Sequence, residues 1–110
     1  MKTITHLEFE KILSENPGLI LLDVRTPAEF DDGYIEGSVN IPLDQLTPAY
    51  FQENNKRFSE GSFYIICHRG PRAQHAAKLF EKEGICNTVV VDGGVSAWID
   101  EGFEVKKLKG

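Results

Sequence analysis

Phe63-Tyr64-Ile65-Ile66-Cys67-His68-Arg69-Gly70-Pro71-Arg72-Ala73-Gln74-His75-Ala76-Ala77-Lys78-Leu79-Phe80 is the stretch that decides how this chain reads. It opens on an unbroken apolar run, Phe63 to Ile66, as a strand buried on both faces requires. It closes on a helical pattern, with Ala73, Ala76, Ala77 and Phe80 at the i, i+3, i+4, i+7 spacing of one helix face. Between them the chain must turn from strand into helix, and the turn begins with a cysteine. A thiol placed there meets the free N–H groups and positive potential of a helix N-terminus. Arg69 and Arg72 add cationic charge. All three effects favour the thiolate, which is the nucleophilic form.

The other loop residues read as follows. Gly70 supplies the positive φ that lets backbone amides curl towards the sulfur. Pro71 suits the first position of a helix but has no N–H, so the loop lacks one possible donor. Arg72 either neutralises an anionic ligand or anchors the loop. His68 and Arg69 face either a ligand or solvent.

Outward from this segment, strands and helices alternate. Thr5-His6-Leu7-Glu8 is a capping box that opens a first helix, ended by Pro17-Gly18. Leu19 to Val24 reads as a central parallel strand. Thr26-Pro27-Ala28-Glu29 is a second capping box, with proline at the favoured first helical position. Val39 to Ile41 is a short strand, and Leu43 to about Phe58 a helix broken near Pro48. Gly84 stops the helix that follows the cysteine. Thr88 to Val91 is a last buried strand, and Gly94 to Glu101 a final short helix. The pattern predicts an α/β, three-layer domain with a mostly parallel central sheet flanked by helices. Such sheets bind ligands beyond the carboxyl ends of their strands, where Cys67 lies.

The strand-Cys-x-x-Gly-x-Arg-helix order resembles the active-site loop of the rhodanese sulfurtransferases. Three further segments are similar to family motifs and occur in the family's order: Leu21-Leu22-Asp23-Val24-Arg25-Thr26-Pro27-Ala28-Glu29-Phe30, Gly33-Tyr34-Ile35-Glu36-Gly37-Ser38-Val39-Asn40-Ile41-Pro42, and Gly93-Gly94-Val95-Ser96-Ala97-Trp98. The resemblance implies a rhodanese-like fold and a sulfurtransferase with Cys67 as its catalytic residue. Cys67 would carry a sulfane sulfur, as a persulfide, from a donor such as thiosulfate to a thiophilic acceptor: a thiol, cyanide, or a sulfur-accepting protein. His68, Arg69, Gly70, Pro71 and Arg72 would bind substrate. No cofactor is implied. The family often has arginine directly after the cysteine, where His68 stands here, and histidine where Tyr34 stands.

Asp23 and Arg25 are charged groups at the end of a buried strand. They read as structural support, with Arg25 expected to pair with Glu29 and Asp23 to tie down neighbouring loops. Gly93, Gly94 and Trp98 read as a tight turn and a core anchor. His6 and His75 read as surface residues. Cys86 is either a bystander or a resolving partner for Cys67. Three scattered histidines and two distant cysteines have no metal-ligand spacing.

Composition bounds the rest. At 110 residues the chain reads as one domain, 1–110. Its 41% hydrophobic and 26% charged residues are ordinary for a globular protein. A formal charge of −5 argues against a nucleic-acid partner. No apolar run approaches the ~18 residues of a membrane span. Met1 to His6 does not read as a signal peptide, and two cysteines without one point to a reducing, cytoplasmic setting. Two other classes fit the cysteine loop. One is a sulfur-relay or regulatory module with little free turnover. The other is a cysteine phosphatase or arsenate reductase. Related phosphatases place five residues between cysteine and arginine, because a tetrahedral oxyanion needs a wider cradle than one sulfur atom; here the interval holds only His68 to Pro71.

Overall fold

Every strand of the sheet runs in the same direction. A computed structural model describes residues 1–59 and 61–108. In it, strands β1 (Lys2–Ile4), β2 (Leu21–Asp23), β3 (Val39–Asn40), β4 (Phe63–Ile66) and β5 (Thr88–Val91) form one parallel sheet in the order β1-β5-β4-β2-β3. Helices α1 (His6–Glu15), α2 (Pro27–Asp32), α3 (Pro48–Asn54) and α4 (Pro71–Lys82) connect successive strands, and α5 (Gly94–Asp100) follows β5.

Both predicted capping boxes are present. Thr5 caps α1 against Glu8, and Thr26 caps α2 against Glu29, each reciprocally. The segment expected as a broken helix contains α3 alone as α-helix. Leu43–Gln45 and Asn55–Phe58 are 3₁₀ turns, and Thr47 caps α3 by accepting from the Tyr50 N–H. Strand β1 is an addition to the sequence reading: two of its three residues are exposed, and it exists by pairing with Val89–Val91.

Side chains alternate across the sheet with the strand period of two. Leu22, Phe63, Ile65 and Val90 face one core with Phe51 of α3 and with Ala73, Ala76, Ala77 and Phe80 of α4. Phe51, Phe58, Phe63 and Phe80 meet there at centroid separations of 4.8–5.0 Å. Leu21, Ile66, Val89 and Val91 face the other core, with Phe9 of α1 and Val95 and Trp98 of α5. Continuing the alternation past β4 puts Cys67 on the α3–α4 side, in the same cluster as Val24. Register alone therefore fixes the face on which the thiol emerges.

From β2 the chain passes to β3 at the edge of the sheet, and from β3 it returns past β2 to β4 on the other side. The carboxyl ends of β2 and β4 flank this switch point, where ligands bind in open α/β sheets.

Candidate active site

Cys67 follows the last residue of β4, and its side chain is 1% exposed. The Gly70 N–H donates to Cys67 Sγ at 3.0 Å. Gly70 has φ +133°, a backbone conformation that favours glycine, and this turns its amide back onto the sulfur. Pro71 is the first residue of α4, so the sulfur also lies at that helix's N-terminal end. Negative charge on the sulfur is stabilised by both the direct N–H contact and the helix dipole.

The loop backbone is held from the far side of the sheet. Cys67 O accepts from the Val95 N–H and His68 O from the Ser96 N–H, both at 2.9 Å. Gly94 makes this approach possible. Its φ is +63°, and a Cβ there would overlap Cys67 O and His68 O. Trp98 anchors the same helix by donating its indole N–H to Glu104 O at 2.9 Å.

Arg72 makes a bidentate pair with Glu29, at 2.6 and 2.9 Å. Glu29 also completes the α2 capping box, so one carboxylate joins the loop after β2 to the start of α4. The Arg72 guanidinium holds the Glu29 carboxyl down at about 2, against an ordinary value of 4.5. Because the folded value is depressed, this stability is present above 4.5 and is lost as pH falls towards 2. Both side chains are about one-third exposed, so solvent screening limits the pair to about 1 kcal/mol. Glu29→Gln should therefore lower stability above pH 4.5 and converge with the parent near pH 2. Urea denaturation at low salt across that range checks this; a constant difference would disprove it.

The expected Arg25–Glu29 pair is corrected by the structure. Arg25 instead pairs with buried Asp23, Nε and Nη2 donating at 2.8–3.1 Å, and Nη2 also donates to Gly33 O at 2.7 Å. Both residues sit at the end of β2, where the chain curls Arg25 back over Asp23. Asn40 bonds the carbonyls of both. Glu29, on the first turn of α2, faces α4 and takes Arg72.

His68 and Arg69 are exposed on the loop. Tyr34 stacks on Phe30 with a centroid separation of 4.5 Å and bridges Lys106. Among the described residues no cluster of three or more His, Cys, Asp or Glu could hold a metal. No helix of the described residues is long and apolar enough to cross a membrane.

Cys86 lies at the opposite end of the sheet from Cys67. Phe63 pairs with Thr88; Cys67 is beyond the carboxyl end of β4, and Cys86 precedes the amino end of β5. At ~3.3 Å per strand residue the two are roughly 20 Å apart along the sheet, far beyond disulfide reach. Cys86 is therefore no intrachain resolving partner, and Cys86→Ser should leave cyanide-assayed turnover within about twofold of the parent. A large loss in that assay would refute the reading.

Beside the loop lies a cleft of about 620 Å³, which the sequence reading missed. Val24, Pro27, Pro42, Leu43 and Leu79 give it an apolar lining, and Arg72 and His75 also border it. These residues come from the ends of β2 and β3, the 3₁₀ turn and α4. Their individual spacings carry no common signal.

The chain matches the rhodanese-like domain family model over residues 5–101 and belongs to that family. It is 35% identical to the uncharacterized protein YqhL of Bacillus subtilis, over 99% of this chain and 79% of that one. It is 26% identical to the thiosulfate sulfurtransferase GlpE of Shewanella oneidensis, over 89% of this chain and 95% of that one. The crystal structure of a rhodanese-like domain protein from Staphylococcus aureus superposes with a TM-score of 0.77 at 36% identity, over 97% of this chain and 100% of that one. Other curated relatives are longer, and this chain spans 24% to 52% of their lengths.

Proposed function

We propose that this protein is a sulfurtransferase that carries a sulfane sulfur on Cys67. The observation that carries the reading is the Gly70 N–H at 3.0 Å from Cys67 Sγ, at the N-terminal end of α4. In the first half-reaction the Cys67 thiolate attacks the outer sulfur of a donor such as thiosulfate. A bond forms between the two sulfurs, the donor's S–S bond breaks, and its electron pair leaves with sulfite. In the second, a thiophilic acceptor attacks the outer sulfur of the Cys67 persulfide, and the pair of the broken bond returns to Cys67 as thiolate. This is double displacement with no external oxidant. Gly70 serves the charged sulfur in both states, His68 and Arg69 meet the donor at the exposed rim, Pro71 starts the helix, and Arg72 positions the loop through Glu29. Asp23 and Arg25 support the turn after β2.

Intact-mass spectrometry after thiosulfate exposure tests the reading. The expected result is a gain of one sulfur atom on Cys67, discharged by cyanide with catalytic turnover. No adduct would refute it. An adduct that cyanide removes only stoichiometrically would favour the relay-module alternative.

A further inference from the structure

The cleft is too large for an inorganic donor. Its volume of about 620 Å³ falls within the ~300–1,000 Å³ range of organic-ligand sites. Its wall also approaches the nucleophile, although Cys67 is not itself among the lining residues. Val24, which lines it, donates its N–H to Ile66 O at 3.0 Å, so the cleft opens one strand away from Cys67 and on the same face of the sheet.

Its charge is not that of an anion site. Arg72, its only guanidinium, is neutralised by Glu29. Asp44 contributes an exposed carboxylate that takes part in no ion pair among the described residues. The remaining lining is mostly apolar, with Val24 buried at the inner end and Asp44 at the exposed lip. An occupant complementary to this surface has an apolar body and a cationic end.

Resting on the transferase reading above, we propose that this cleft is the acceptor subsite and that the acceptor is an organic aminothiol: a thiol on an apolar chain whose ammonium lies against Asp44. The persulfide anion first takes one proton from water, and the acceptor thiolate attacks the outer sulfur of the resulting Cys67–S–SH. The new S–S bond forms to the acceptor, the Cys67–sulfur bond breaks with its pair remaining on Cys67, and the proton stays on the transferred sulfur. The product is the acceptor's hydropersulfide, with no net oxidation.

The test compares acceptors on thiosulfate-loaded enzyme at about pH 8, with rates referred to thiolate concentration. Each methylene buried in the cleft should raise kcat/KM about threefold, so aminohexanethiol should exceed aminopropanethiol by more than tenfold. Aminohexanethiol should exceed mercaptohexanoate by roughly tenfold at low salt. Asp44→Asn should reduce that charge preference to about twofold and leave cyanide turnover unchanged. Equal rates for the ammonium and carboxylate thiols, with cyanide still turned over, would overturn the subsite and leave the transferase reading intact. Absence of a Cys67 persulfide would remove both the transferase reading and the acceptor role. A separate titration with the unreactive methyl thioether of aminohexanethiol then decides whether the cleft binds such molecules at all. Amide shifts confined to Leu43, Asp44 and Leu79 support the site, and unperturbed shifts there overturn it.

Discussion

Cys67→Ser should reduce thiosulfate:cyanide sulfur transfer to background while leaving stability within about 1 kcal/mol of the parent. Serine preserves the size of the side chain, and its hydroxyl can still accept from the Gly70 N–H that now meets Sγ at 3.0 Å. What disappears is the thiol, and a serine hydroxyl ionises far less readily and is a much weaker nucleophile towards sulfur. Steady-state assay and thermal unfolding of the same preparation separate the two consequences. Residual turnover above background would mean that another group accepts the sulfur.

Gly94→Ala should cause the largest loss of stability of any single methyl addition near the site. Alanine at φ +63° is strained whatever the surroundings, and its Cβ would run into Cys67 O and His68 O. Both carbonyls are already fixed by hydrogen bonds from Val95 and Ser96, so the loop cannot retreat without giving those up. A loss of roughly 2–4 kcal/mol follows from the strain and the displaced contacts, or about 10–25 °C in Tm for a domain of this size. Calorimetry checks the magnitude. A variant with unchanged Tm would show that α5 can move away from the loop at little cost. Gly37→Ala is the control: its φ is +88°, but nothing lies within 4 Å of its Cβ, so it isolates the backbone strain alone.

Local signals carried most of the architecture. Thr88–Val91 was readable as a strand because all four of its residues are buried, so its apolar character needs no partner to interpret. The ends of α1 and α2 were readable because a capping box is written within four residues. Lys2–Ile4 was not, since only Ile4 is buried and its strand character depends on pairing with β5, far along the chain. The same distinction governs the site. The glycine turn around Cys67 is a short-range pattern, whereas the partner of Arg72 lies 43 residues away. Arg25 illustrates a subtler failure. Glu29 stands at the helical spacing for an ion pair, but Arg25 precedes the Thr26 cap and is not in the helix, so that spacing does not apply. The cleft was illegible for a third reason: its wall is assembled from segments whose residues meet only after the sheet has ordered them.

The two ties on the cysteine loop have a consequence for cooperativity. One runs from α5 to the loop carbonyls, and the other from α2 to Arg72, so helices on the sheet's α1–α5 side and at the end of β2 hold the same few residues. Opening this loop breaks two backbone hydrogen bonds from α5 as well as the weaker Arg72–Glu29 tie, which couples the loop to an element of the main unfolding unit. Native-state hydrogen exchange should place the Gly70, Val95 and Ser96 amides among the slowest, with opening free energies near the global value. Enzyme inactivation and loss of secondary structure in urea should then trace a single coincident curve. The loop's shape is thus set together with the domain's fold, and access to the sulfur is the variable left to the surroundings.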